Sequence, residues 1–493
     1  MKKLSLSLIL SAAMLFSIAQ PSVVAEINRL NQPAQALAPL RFLASDELMG
    51  RSVTRPEIQV AARYISELFR SAGLKEMAGA TDYFQNLEIK IITAPHAGSF
   101  SVGNKTYTIG KDFLQARGAG IQLTAPVVFA GFGTANDLSN LDVKGKIVVV
   151  NMGENDSTKV QAGNRFKDVK QKLLQEKGAL ALVERYWQPV ADWELPKHAY
   201  SSERAVMPHD SLLPVFAVHD PAGDLMATVK NASNASISIS GSELLKFPAR
   251  NVLGWVEGTD AKLKKQFIVL SAHYDHVGVA AEPKEVEGKL DSIFNGARDN
   301  AVGVTAVINA ARYFALHPPK RSMLFVAFTG EEKGLLGSKY FAAHPPVPLE
   351  KIVFNLNIDN GGYNDTSLIN VIGLGRTSAD ADMKKACTAY GLTLLGDPAP
   401  EMNLFDRSDN VSLAAKGVPA PTYGMGVKKL DETIFKYYHQ LGDEVGNMDL
   451  SYMVKYIKSF ILTAKYIADN PAQPSWMKGD KYEAAWKKLY SKP

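Results

Sequence analysis

Residues 322–338 read SMLFVAFTGEEKGLLGS, an apolar run closed by a glycine and then by two adjacent glutamates. The run has the length and β-rich composition of a buried strand. Glu331 and Glu332 at its end repel each other and lose hydration, a cost that a positive partner opposite them would remove. Adjacent side chains of an extended segment point to opposite sides, so the two carboxylates are expected to serve different atoms.

The same texture repeats on both sides of this stretch. FIVLSAH (267–273), VGVTAVINAARYFAL (302–316), SMLFVAF (322–328), GSKYFAAH (337–344) and KIVFNLNID (351–359) alternate strand-like and helix-like patterns. Alternation of this kind predicts an α/β domain of three layers, αβα, around a mixed, largely parallel sheet. Ligands of such sheets collect beyond the carboxyl ends of the strands, so the informative residues are those just after each apolar run.

Those residues are polar throughout. The first run ends in HYDH, with His273, Asp275 and His276, and the next loop, FNGARDNAVG, carries Asp299. Glu331 and Glu332 follow SMLFVAF, Asp359 ends KIVFNLNID, and KYYHQLGDE supplies His439. Imidazole with carboxylate is the ligand set of zinc and its borderline neighbours, whereas calcium takes oxygen alone. A catalytic zinc takes three protein ligands, but a pair roughly 3.5–4 Å apart needs more, with one carboxylate bridging. Five ligands suit such a pair, and the metal is then the missing positive charge. One glutamate binds it while the other takes a proton from attacking water and passes it to a leaving amine.

The residues resemble the co-catalytic di-zinc exopeptidases, the family of bacterial leucyl aminopeptidases and, more distantly, glutamate carboxypeptidases. HYD at His273 to Asp275, GARDN at Gly296 to Asn300, TGEE at Thr329 to Glu332, NID at Asn357 to Asp359 and YH at Tyr438 to His439 match its five motifs in order. The earlier LASDELMGR is similar to the family's lead-in. The resemblance implies two Zn2+ per chain, with Mn2+ or Co2+ as possible occupants. His273 and Asp359 would hold one ion, Glu332 and His439 the other, and Asp299 would bridge them, followed by a cis peptide to Asn300. Glu331 would be the general acid/base, Asp275 would orient His273, and Tyr438 would stabilise the oxyanion. The expected activity is removal of N-terminal residues from peptides. A dipeptidase or carboxypeptidase of the same family, a single-zinc glutaminyl cyclase, and a non-catalytic binding protein on the same scaffold are the rival expectations.

Other polar residues have simpler readings. His276 lies beside His273 but outside the motif, and is expected to be structural. His317 and His344 each precede PP at a helix end, where an imidazole suits the last turn. Arg298, just before the bridging aspartate, either engages a substrate carboxylate bidentately or points outward to an acid of AEPKEVEGKLD. The loop DPAPEMNLFDRSDN, with Ser408 and Asp409, is the expected seat of side-chain specificity.

The rest of the chain sets bounds. It has 493 residues, 46% hydrophobic and 21% charged, and its net charge of +5 includes Lys2 and Lys3. No nucleic-acid surface is expected from that balance. Residues 1–25, MKKLSLSLILSAAMLFSIAQPSVVA, have the basic start, apolar stretch and small-residue end of an export leader. The product is expected in the periplasm or outside the cell, with no stable membrane insertion once the leader is removed. Cys387 is the single cysteine, so no internal disulfide exists. Residues 26–120 are read as the N-terminal part of the peptidase domain and 248–470 as its catalytic part. Residues 471–493 are an amphipathic tail that docks Trp476, Trp486 and Leu489. Between them, 121–247 is read as a mostly-β insert similar to a protease-associated domain, within a β-rich texture from Phe84 to Phe247. No G-x-S-x-G or H-E-x-x-H occurs, which argues against a serine nucleophile elbow and a single-zinc protease helix. The sequence leaves the oligomeric state open.

Overall fold

The structure is a computed structural model that describes residues 22–491, apart from 159, 188–192, 194–196, 198–202 and 208–212. Most of the expected leader therefore lies outside the described residues. From Val23 a helix runs to Leu30 and buries Ile27.

One sheet of nine strands carries the site. Its order is Thr393–Leu395, Leu368–Ile372, Thr422–Met425, Ile352–Ile358, Phe267–His273, Ser322–Phe328, Leu244–Val256, Phe84–Ile92 and Arg204–Val206. The centre is parallel: Phe267–His273 runs alongside both Ser322–Phe328 and Ile352–Ile358, which in turn runs alongside Thr422–Met425. On the flanks, Leu244–Val256 pairs antiparallel with Ser322–Phe328, and Leu368–Ile372 antiparallel with Thr422–Met425. The result is the mixed sheet that the alternating texture predicts.

Helices cover both faces, and the period-2 alternation of the strands sorts residues between them. Ile268, Leu270 and Ala272 face one core with the helices Glu57–Ser71, Val302–Leu316 and Leu450–Asp469. Phe267 and Val269 face the other, with Phe341, Leu413 and Trp476. Trp486 and Leu489 of the terminal helix Glu483–Tyr490 pack against this second core. The helix Val302–Leu316 approaches the sheet closely at Gly303, where a Cβ would lie 2.6 Å from the Ile358 side chain. Any larger residue there would push the helix off the strand that ends at Asp359.

A second, eight-stranded sheet runs from Lys105–Thr108 through Ala97–Val102, Asn234–Ser240, Ile121–Phe129, Ile147–Asn151, Ala181–Tyr186 and Val215–His219 to Phe113–Arg117. Phe100, Phe113 and Phe216 stack through its core at 6.0 and 5.3 Å. The boundary expected at residue 121 needs correction, because the three strands between Ala97 and Arg117 belong to this sheet. Sequence texture missed the earlier crossing since Phe84–Ile92 and Ala97–Val102 are equally β-rich yet pair with different partners. The module also reaches back, because Arg204–Val206 pairs with Phe84–Ile92 at the edge of the first sheet.

Candidate metal centre

The parallel centre of the first sheet brings His273, the Glu331–Glu332 pair and Asp359 to one edge. The glutamates sit in a turn rather than in extended chain. Gly330 adopts φ 69°, and the amides of Gly334 and Leu335 both donate to the carbonyl of Glu331, at 2.9 and 3.0 Å. The carboxylate of Asp275 accepts the backbone N–H of Glu331 at 3.1 Å and of Glu332 at 3.2 Å, which fixes the pair. Asp275 thus holds the glutamate turn with its side chain, while its carbonyl is the atom nearest His273 Nδ1, at 3.2 Å.

Asp299 lies between two groups of donors. Its Oδ1 is 3.2 Å from His273 Nε2, and that nitrogen is 3.3 Å from Asp359 Oδ1. Its Oδ2 is 3.1 Å from His439 Nε2, which is 3.2 Å from Glu332 Oε1. His276 belongs to this second group, its Nδ1 2.8 Å from Glu332 Oε1. The residue set aside as structural therefore stands against a candidate ligand, and its place in HYDH is the signal that marked it. The Asp299–Asn300 peptide is cis. Asn300 donates to the carbonyl of Ile358 at 2.9 Å and accepts from Asn360 at 3.3 Å, tying the Asp299 loop to the Asp359 loop. From the LASDELMGR segment, the buried Arg51 donates to the carbonyls of Tyr274, Asn295 and Gly296 at 2.8, 2.7 and 3.1 Å, bracing the other two loops.

The electrostatics suit a cation. Burial alone would lower both imidazoles, yet the acids around them hold His273 well above the ordinary range and push His439 up to about 10. Burial raises Glu331 well above the usual carboxylate range, beside Asp359, Glu332 and Asp409. Burial alone would also raise Glu332, but His276 and His439 bring it down to about 2. The buried Asp299 Oδ1 accepts no hydrogen bond. Two groups of imidazole and carboxylate sharing one aspartate, each with donor atoms within 4.8 Å of one another, fit a pair of divalent metals of the zinc type.

The remaining candidates divide. Tyr438 lines the cavity over the centre, stacked on His439 with ring centroids 4.1 Å apart, and burial beside Asp299 and Glu332 keeps its hydroxyl protonated. Ser408 also lines it, its hydroxyl accepting from Asn357 at 3.0 Å. Asp409 is 1% exposed and stands behind the wall, so direct substrate contact is corrected for this residue. Arg298 needs correction on both expectations. It is 2% exposed, and its guanidinium is held by Asp443 at 2.9 Å and Asn447 at 2.8 Å under the Tyr437 ring, facing neither substrate nor the AEPKEVEGKLD segment. That segment forms a hairpin, Gly278–Val286 with Lys289–Phe294. His317 and His344 cap the helices Val302–Leu316 and Leu336–Ala343. Beyond the acids, the cavity wall is largely apolar, with Ile372, Met425, Val427, Leu430, Ile434 and Phe435.

Comparison with known proteins agrees with this geometry. Residues 251–463 match the model of the family described as Peptidase family M28. The chain is similar to Aminopeptidase YwaD of Bacillus subtilis (strain 168), 25% identical over 248 residues that cover 49% of this chain and 44% of that protein. It is also similar to a vacuolar membrane protease of Schizophyllum commune (strain H4-8 / FGSC 9210), 30% identical over 169 residues, 34% of this chain and 17% of that protein. The chain thus spans less than half the length of these curated relatives. Its fold is similar to that of an aminopeptidase from Aneurinibacillus sp. strain AM-1, with a TM-score of 0.60, 20% identity, and coverage of 91% of this chain and 97% of that one. Both donor groups, from His273 to His439, fall inside the matched span, so the part of the chain that carries the candidate metal centre is the part similar to Peptidase family M28.

Proposed function

We propose that this protein is an exported zinc aminopeptidase that releases N-terminal residues from peptides. The observation that carries the reading is the placement of Asp299, one oxygen toward His273 and the other toward His439, with Glu331 on the same cavity wall. His273, Asp299 and Asp359 would hold one Zn2+, and Asp299, Glu332 and His439 the second; Mn2+ or Co2+ suit the same donors. Bound there, the metals supply Lewis acidity and make water a better nucleophile at neutral pH.

The chain's own residues do the rest. Glu331 is no ligand, and its raised affinity for a proton suits a base that takes one from water and returns it to the leaving amine. Tyr438, kept protonated, offers an O–H to the charge developing on the carbonyl oxygen. Asp275 holds Glu331 in line through its amide. The apolar wall from Ile372 to Phe435 would receive the N-terminal side chain and keep water out. Residues 97–240 would be an inserted module of the protease-associated kind, and residues 1–25 the export leader.

The test measures metal content and amino-acid release from a mixed peptide panel. Two zincs per chain, cleavage of free but not acetylated N-termini, and a loss of about 10²-fold or more in Glu331→Gln are expected. One zinc with cyclisation of N-terminal glutamine would make the protein a cyclase, and no metal with no turnover a binding protein.

A further inference from the structure

Among the described residues lining the cavity, Arg407 is the one lysine or arginine. It closes the short turn Leu404–Arg407, directly before Ser408. Its guanidinium makes no hydrogen bond, ion pair or ring contact with a described residue. Three other arginines of this domain are engaged. Arg298 is held by Asp443 and Asn447, Arg51 by backbone carbonyls, and Arg376 by Asp480 at 2.7 Å. The acid next to Arg407 in sequence, Asp406, is taken by Lys481 and by the Tyr482 hydroxyl. Arg407 lines the same cavity as Tyr438 and the Glu331–Glu332 pair.

Of the acids lining the cavity, Asp299, Glu332 and Asp359 belong to the two donor groups and Glu331 is the base of the peptidase reading, and among the described residues none of them is paired with a guanidinium. A free, planar, five-donor cation at the wall of a substrate cavity matches one kind of ligand group, a carboxylate taken bidentately. Taking the peptidase reading as given, we propose that Arg407 binds a carboxylate on the leaving side of the scissile bond, so that short peptides carrying a carboxylate there are the preferred substrates. The carboxylate comes either from the C-terminus of a dipeptide or from an acidic side chain at the second position.

Four substrates separate these sources: Leu-Gly against Leu-Gly-amide, and Leu-Glu-amide against Leu-Gln-amide, each with the zinc-loaded wild type, Arg407→Gln and Arg407→Lys. Wild type is expected to favour Leu-Gly over its amide by about tenfold in kcat/KM, mainly through KM. Arg407→Gln brings that ratio close to one, and Arg407→Lys keeps part of it, as a point charge without the fork. Each ratio compares two substrates on one protein, so a general loss of activity or folding cancels. A preference confined to Leu-Glu-amide, and lost in Arg407→Gln, supports the proposal with the side chain as source. Cleavage of all four with wild-type ratios near one, or a preference that survives Arg407→Gln, overturns the proposal and leaves the peptidase reading standing. Cleavage of none overturns both.

Discussion

Arg298 and Asp443 form a buried ion pair at 2.9 Å whose carboxylate also accepts the backbone N–H of Arg298 at 3.0 Å and of Asp299 at 3.2 Å. One acid thus compensates a buried cation and fixes the backbone of the aspartate shared by both metal groups. Removing the cation alone leaves Asp443 buried and uncompensated, which costs about 3–5 kcal/mol. Arg298→Met should therefore lower the urea midpoint and the zinc content together, while adding Asp443→Leu recovers part of the stability. An unchanged midpoint in the single variant would show that the pair is not a brace.

His276 lies 2.8 Å from Glu332 and is fully buried, so it holds the carboxylate in the orientation that faces His439. A neighbour that orients a ligand contributes about 10–100-fold to metal affinity. Competition against a chromogenic chelator should show that His276→Gln weakens one zinc by this factor and leaves the other nearly as tight. Equal weakening of both would mean that the whole loop had moved.

What the sequence made legible follows from where its signals lie. The parallel centre was readable, and His273, Glu332 and Asp359 stand at or just after the ends of its strands, which share an edge, whereas Asp299 and His439 lie in loops marked only by their motifs. Arg298 was misread since its partner, Asp443, lies 145 residues away and carries no local pattern. Arg51 and His276 gave the same difficulty, because their partners are carbonyls and a carboxylate supplied by other segments. The glutamate turn was read as extended chain, although Gly330 before it is the residue that permits φ 69°. The second sheet begins at Ala97 rather than 121 because strand pairing, and not composition, decides membership.

Glu444 ties stability to pH. Its carboxylate accepts from Asn295 at 2.7 Å, but burial, with Asp46, Asp291 and Asp443 nearby, raises it from the ordinary 4.5 to about 7. Between those values the folded protein holds a proton that the unfolded chain has released, so this group costs stability above pH 7 and the cost fades as pH falls toward 4.5. The residue is partly exposed, and solvent screening reduces the effect to about 1 kcal/mol. Glu444→Gln should accordingly be more stable than wild type at pH 8 and no more stable near pH 5. Equal urea midpoints at both pH values would contradict the assignment.

Metal removal should act on the fold as well as on activity. Asp299, Glu331, Glu332 and Asp359 line one cavity, and without a divalent ion the imidazoles of His273 and His439 must carry the compensating charge. A metal that binds the folded state alone adds about 4 kcal/mol when its free concentration is a thousand times Kd. Chelation should thus lower Tm, and Zn2+ or Co2+ should restore it, whereas Ca2+, which prefers oxygen donors, should not. Binding requires both imidazoles to release their protons, so apparent zinc affinity should fall as pH is lowered. A Tm that ignores both chelator and zinc would mean that the two donor groups hold no metal, and that the buried acids are compensated by their histidines alone.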